Sequence, residues 1–421
     1  MKILYYNSKG QLCLEKVPLA VLCKKIASPF YIYSLAEIRS NCQEIHHLAA
    51  GYDFLACFAL KANFNPHLLK LIRSFNFGAD VVSGGELYFA RKCGFPASRI
   101  VFAGVGKTPA EIEASIKTGI HSINIESEAE LKLLDRITRQ LKKQIRVAIR
   151  INPDIDPLTH PYISTGLLTN KFGISKELAL KLYLQLRGHP YIIASGIHVH
   201  IGSQITTAGP YLQTAKFLIN LRRTLQQRGV KIEFIDLGGG IGLHYQNQLD
   251  DAKAPRTYVR SILPKLLTCF KNEPVKLMVE FGRAVIGSAG LLITKVLYEK
   301  TTPLKKFIII DAGMNNLIRP SLYHAYHQMV PLLSNNRKRE KVDVVGPVCE
   351  TSDFFARGRM MNVLHAGDYI AVTGTGAYAQ ASSSNYNLRP MLIEFLVDGS
   401  RVSKIFKGIT IKDIAANYSW K

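Results

Sequence analysis

The sequence predicts an α/β part followed by an all-β part: an eight-stranded closed parallel β/α barrel, then an antiparallel β domain. Eight short apolar runs alternate with helical patterns between Phe54 and Arg283, the rhythm of a parallel sheet. Those runs end in polar, charged or glycine-rich residues all round the series. A barrel gathers such ends into one mouth, and this argues against an open doubly wound sheet. After Arg283 strand-like runs continue without comparable helices, as in a mostly antiparallel sheet.

Taken in order, residues 1–28 hold a strand-like start at Lys2–Tyr6, a turn at Ser8-Lys9-Gly10 and a second strand-like piece. They precede the barrel and are expected to join the β domain. Residues 29–283 are assigned to the barrel, with strands at Phe54–Leu60, Ala79–Ser83, Arg99–Gly104, Ser122–Glu126, Ile145–Asn152, Ala194–Gly202, Phe234–Gly240 and Leu277–Arg283. Glu86–Arg91 and Glu128–Leu134 are among the helical patterns between them. Residues 284–421 are assigned to the β domain, with strands at Leu291–Tyr298, Phe307–Asp311, Val342–Val345, Asp368–Thr373 and Met391–Val397. The polar, basic stretch Leu332–Lys341 reads as a loop.

The chain has 421 residues, with 54 basic against 31 acidic ones, a formal charge of +23. Such a balance can signal nucleic acid. Here the charge is scattered, and Arg337-Lys338-Arg339, Lys142-Lys143 and Lys305-Lys306 read as solvated faces. A basic surface attracting anionic solutes is expected, not a nucleic-acid site. The 7 cysteines are odd in number and form no CxxC, which argues against a disulfide framework or structural zinc. The apolar start is too short for a signal peptide, and no apolar run approaches membrane-spanning length. A cytoplasmic protein with no membrane partner is the expectation.

The first barrel run ends abruptly in Lys61, within Phe58-Ala59-Leu60-Lys61-Ala62-Asn63. Low-dielectric walls disfavour a charged amine, and a neutral one can form a Schiff base with an aldehyde. A lysine that merely caps a strand and snorkels to water is the commoner case, so the residues downstream decide. Val105-Gly106-Lys107-Thr108 is not a phosphate-binding P-loop, because Val101 stands where its first glycine belongs. Gly238-Gly239-Gly240-Ile241-Gly242 fails the dinucleotide spacing at Leu243, yet a glycine-rich turn after the seventh strand can cradle a phosphate. His198-Val199-His200 offers two imidazoles on one strand face. They could begin a zinc site, but no convincing further ligands accompany them. His200 can instead stack on a flat cofactor, while His198 reads as a core histidine. Glu280, ending the eighth strand before Phe281-Gly282-Arg283, needs a cationic partner, which a protonated pyridine would supply. Arg319 and Tyr323 would share a face if their segment is helical, and arginine suits a carboxylate.

Together these motifs resemble the meso-diaminopimelate decarboxylase family, of the alanine-racemase-like class of pyridoxal-phosphate enzymes. The likeness runs from about Phe30 to Pro390. It includes Lys61-Ala62-Asn63, His200-Ile201-Gly202-Ser203-Gln204, Gly238–Gly242, Glu280–Arg283, Asp311–Tyr323, Gly346–Glu350 and Gly376-Ala377-Tyr378. Thr159–Gly166 followed by Asn170-Lys171-Phe172-Gly173 is especially like the diaminopimelate branch. Three departures stand out: Phe281 for a usual proline, Leu60 for valine, and Thr351-Ser352 for Ser-Gly. Of these, Phe281 could shift the turn that places Arg283.

The resemblance implies decarboxylation of meso-diaminopimelate to L-lysine with pyridoxal 5'-phosphate. Lys61 would hold the cofactor and His200 would stack on its ring. Ser203, Gly238, Gly239, Gly240, Gly282, Arg283 and Tyr378 would hold its phosphate. Asp80 would support it, and Glu280 would keep its ring nitrogen protonated. Arg283, Arg319, Tyr323, Glu350 and Tyr378 would grip the substrate, and Cys349 would donate a proton. In the family Cys349 and Glu350 reach the neighbour's site, which implies a homodimer. The rivals are sister decarboxylases acting on ornithine, arginine or carboxynorspermidine, a single-barrel cofactor carrier, and a zinc hydrolase.

Overall fold

The structure is a computed structural model that describes residues 2–156, 171–246, 248–249, 257–334 and 337–420. They fall into two compact units. One comprises Cys42–Gly242 and Thr257–Ala284; the other comprises Met1–Asn41, Leu243–Arg256 and Val285–Lys421.

The first unit is a closed ring of eight parallel strands: Phe54–Ala59, Gly78–Val81, Ile100–Phe102, Ser122–Ile125, Ile145–Arg150, Ile192–His198, Phe234–Asp236 and Lys276–Phe281. All eight overlap the apolar runs read from the sequence, and three of them start one or two residues earlier, at Gly78, Ile192 and Lys276. The last strand closes on the first, with Leu277 opposite Phe54 and Phe281 opposite Phe58. Successive side chains alternate in and out. Leu55, Cys57, Val101, Ala148, Phe234 and Met278 form an apolar plug. Gly196 admits the Phe234 ring, since a Cβ there would lie 2.1 Å from it. Two residues past Phe234 and Met278, on the same faces, come the buried carboxyls of Asp236 and Glu280. The interior therefore turns from apolar to polar toward the C-terminal ends of the strands.

Helices cover the outside by their apolar stripes. In Glu128–Leu141 the buried positions are Leu131, Leu134, Ile137 and Thr138, and the Ser127 side chain caps the start by accepting from the Glu130 amide.

The second unit is built on a nine-stranded, mostly antiparallel sheet. Its long strand Gly290–Thr301 pairs with Lys306–Ile310, Tyr369–Thr373 and Phe30–Ser34. Phe30–Ser34, grouped with the barrel on sequence, thus belongs to this sheet. All five of its residues are buried, and a strand covered on both faces reads alike in either kind of sheet. The strands Leu4–Tyr6, Leu12–Leu14 and Val17–Pro18 form a three-stranded sheet of their own. They join the β unit by packing and by a short backbone bridge: Leu4, Leu12 and Leu14 share a core with Phe30, Ile32, Leu291 and Ile293, and Gln11 pairs with Leu333, the Leu12 amide donating to the Leu332 carbonyl at 2.8 Å. The stretch read as a loop up to Lys341 is cut short, because Arg339–Val345 is a strand. It pairs with Phe354–Asn362, whose register is broken opposite Val342–Val345 and which holds Gly358 at φ +56°. A bulged strand carrying two arginines shows no alternation to read.

Candidate active site

Lys61 lies in a single turn, Leu60–Ala62, at the end of the first barrel strand. Its side chain is 32% exposed, and Nζ is 3.0 Å from Oδ2 of Asp80. The pair is dictated by strand pairing, because Ala59 sits opposite Asp80 on the second strand. Although it faces an ammonium, the Asp80 carboxyl is pushed up to about 6, because full burial and the nearby Glu280 charge outweigh Lys61.

Across the interior, one atom each from His198, Asp236 and Glu280 gather within 4.8 Å of one another, all three residues buried. His198 Nε2 is 3.2 Å from Glu280 Oε1, but neither atom has an aligned hydrogen-bond partner among the described residues. Asp236 accepts from the Gly238 amide at 3.0 Å through Oδ1, and its Oδ2 also lacks a partner among those residues. Burial, then the Glu280 charge, holds Asp236 well above the usual carboxylate range. Burial raises Glu280 too, while Lys61 and Arg150 oppose the rise. A buried carboxyl pair of this kind keeps a proton. The two carboxyls share it, since burial raises both.

Burial and then Arg150 depress the His198 imidazole to about 3. Between roughly pH 6 and 3 the unfolded chain therefore takes up a proton there that the folded chain refuses, so stability falls as pH falls. In the cofactor-free protein, His198→Asn is expected to flatten this acid limb by about 1.4 kcal/mol per pH unit, read by urea unfolding at a series of pH values. An unchanged slope would mean that the folded site protonates His198 freely.

His198 ends the sixth strand, and His200 lies beyond it. The two therefore do not act as a pair on one strand face; His198 joins Asp236 and Glu280. The backbone of His200 packs on the glycine run, where a Cβ at Gly238 would come within 2.9 Å of the His200 Cα. Gly239 and Gly240 are as tightly held, with Cβ atoms that would lie 2.5 Å from the Glu280 carbonyl and 2.2 Å from the Gly202 carbonyl. Only glycine lets these backbones meet. Arg283, after Gly282, is buried and donates from Nη2 to Ser203 Oγ at 3.2 Å. Phe281 lies two residues before Arg283. Its backbone extends the ladder opposite Phe58, and its ring packs edge-on against Phe54 and Phe77 at 6.4 and 6.3 Å.

The mouth also holds a buried ion pair that sequence reading passed over. Arg150 Nη1 is 2.6 Å from Glu126 Oε1, and Glu126 Oε2 accepts from the Gly173 amide at 2.9 Å. Phe172 lies 4.5 Å beneath the Arg150 guanidinium. Thr159–Gly166 and Asn170 lie outside the described residues. Lys107, of the rejected P-loop, is fully committed inside: Nζ donates to the Gly104 and Asn124 carbonyls, each at 2.7 Å, and to Glu130 at 2.6 Å.

The remaining predicted residues belong to the β unit. Arg319 and Tyr323 bound one short helix, with Arg319 buried. Cys349 and Glu350 are exposed, and the Cys349 amide donates to Asn387 Oδ1 at 2.7 Å. Their loop is anchored by Asp353, which accepts from the Val348 and Met314 amides at 2.8 and 2.7 Å. Tyr378 sits at φ +56°. A carboxylate four residues after Cys349 was the available sign of Asp353; nothing local marked Asp236.

A family model described as pyridoxal-dependent decarboxylase, pyridoxal binding domain, matches residues 35–287. A diaminopimelate decarboxylase of Aquifex aeolicus is 44% identical over 398 residues, covering 94% of this chain and 93% of the relative. One from Vibrio cholerae is 41% identical over 396 residues, 94% of each chain. Among solved structures, the Helicobacter pylori diaminopimelate decarboxylase complexed with L-lysine matches with a TM-score of 0.87 at 37% identity, over 94% of this chain and 98% of that one. With a lysine at the end of the first barrel strand, a carboxylate at the end of the eighth and full-length likeness of this order, the chain belongs to the diaminopimelate decarboxylase family of pyridoxal-dependent decarboxylases.

Proposed function

We propose that this chain removes carbon dioxide from meso-2,6-diaminopimelate and releases L-lysine, with pyridoxal 5'-phosphate as cofactor. One observation carries the reading: the Lys61 amine stands 3.0 Å from Asp80 at the barrel mouth, and on the strand closing against Lys61's own, Glu280 keeps a buried oxygen without a hydrogen-bond partner among the described residues. An amine for an aldehyde and a carboxylate for a protonated ring nitrogen are what the cofactor requires. When bound, the cofactor supplies an electron sink for the pair left behind by carbon dioxide.

The chain's residues do the rest. Lys61 would hold the cofactor at its aldehyde group, and Asp80, 3.0 Å from its Nζ, would orient the amine. Glu280 holds a proton on the ring nitrogen, and His200 offers its flat ring. Ser203, Gly238, Gly239, Gly240, Gly282, Arg283 and Tyr378 hold the phosphate. Arg283, Arg319, Tyr323, Glu350 and Tyr378 grip the substrate, arginines on carboxylate and Glu350 on ammonium. Cys349 Sγ gives a proton to the carbon that lost carbon dioxide. Cys349 and Glu350 serve the site of a second copy, so the working form is a homodimer. Seven free thiols fit a reducing cytoplasm. Among the described residues no helix is long and apolar enough to cross a membrane.

The test is lysine release by the purified, cofactor-loaded protein, with ornithine, arginine and carboxynorspermidine as competing substrates. Lysine from meso-diaminopimelate alone is expected. Turnover of another substrate instead would move the enzyme to a sister branch, and failure to take up the cofactor would sink the reading.

A further inference from the structure

His327 is buried, 1% exposed, on the β unit. Its Nε2 lies 2.7 Å from Nη1 of Arg319, and its Nδ1 lies 2.8 Å from the Thr373 carbonyl oxygen. The two outer partners fix the ring chemistry. A carbonyl oxygen can only accept, so Nδ1 carries the hydrogen. A guanidinium can only donate, so Nε2 is the bare nitrogen. The imidazole is neutral, and its lone pair is aimed at Arg319. The ring is also held in place. The Thr373 amide donates to the Gln328 carbonyl at 2.9 Å, and Met329–Pro331 pairs with Tyr369–Thr373. Tyr245 packs on both partners, its ring centroid 4.8 Å from the Arg319 guanidinium and 4.8 Å from the His327 ring.

We infer that His327 is a positioning residue for Arg319: it grips one N–H of the guanidinium fork and so sets the direction in which that group meets the distal carboxylate of the ligand. This rests on the substrate-binding role proposed for Arg319. An imidazole suits the task better than an aspartate or glutamate would. A carboxylate in the same place would cancel the arginine's charge and compete with the ligand, whereas a neutral acceptor fixes direction and leaves the charge.

Two probes isolate the effect. L-Lysine carries the carboxylate in question, and 1,5-diaminopentane is the same molecule with hydrogen in its place. Dissociation constants of both are read from the absorbance of the cofactor-loaded protein. Arg319→Ala is expected to weaken L-lysine while sparing the diamine, and an unchanged ratio would remove Arg319 from its role. His327→Phe is expected to lower the lysine-to-diamine preference roughly tenfold or more, as loss of a charged hydrogen bond implies. His327→Gln, whose amide oxygen can still accept, is expected to restore most of it. A ratio altered in Arg319→Ala but untouched in His327→Phe overturns the inference, as does an equal loss in His327→Gln. Should His327→Phe not fold, nitrogen NMR of histidine-labelled wild type decides. A protonated Nδ1 with a bare Nε2 is expected, and a protonated Nε2 overturns it.

Discussion

Replacing Lys61 by alanine is expected to abolish the yellow absorbance of lysine-bound cofactor and to cut lysine release by at least about 10³-fold. The change removes an amine and little packing, for the side chain is one-third exposed, at 32%. The fold should therefore survive, as circular dichroism and thermal melting would show. One neighbour will respond. Lys61 pulls Asp80 downward against burial, so without it Asp80 should protonate at still higher pH. Mixed with Cys349→Ala chains and allowed to exchange, Lys61→Ala chains are expected to regain roughly a quarter of wild-type activity. Half the dimers would then pair an intact lysine with an intact cysteine at one of their two sites. Absorbance retained in Lys61→Ala would remove the lysine from its role. No recovery after demonstrated exchange would remove the cysteine from the neighbour's site.

The second large effect is expected at Glu280. Glu280→Gln keeps the size of the side chain and deletes its charge. Turnover should fall roughly 10²- to 10⁴-fold, because a ring nitrogen without an anion facing it loses its proton and draws electrons poorly. Spectral change should accompany this at equilibrium, before any substrate is added. Glu280 also raises both Asp80 and Asp236, so the variant should bring Asp80 below its value of about 6 and make the cofactor-free protein easier to ionise near neutral pH. Wild-type turnover in Glu280→Gln would show that the carboxylate serves only the proton it shares with Asp236.

The barrel and the ends of its strands were legible because two local rules agree there. An apolar run marks a strand covered on both sides, and the residue that breaks the run is carried to the mouth. That rule placed Lys61 and Glu280 at the mouth, whereas Asp80, inside its run, came only from the family resemblance. What one stretch cannot show is which runs share a sheet. Phe30–Ser34 has the same apolar character as a barrel strand, and only its pairing with Gly290–Thr301 separates it. The proton shared by Asp236 and Glu280, with His198 beside them, needs three strands in known register, so His198 read as an ordinary core residue. His327 was hidden for a similar reason, since its meaning lies in a carbonyl on a distant strand.

The pairing of the last barrel strand with the first has a consequence for biosynthesis. Lys61 leaves the ribosome early, while its neighbour across the seam, Glu280, is made only after the other six strands. A nascent chain thus displays the amine long before the carboxylate that completes its chemistry, and the ring can close only through a contact between distant parts of the chain, the slow kind to form.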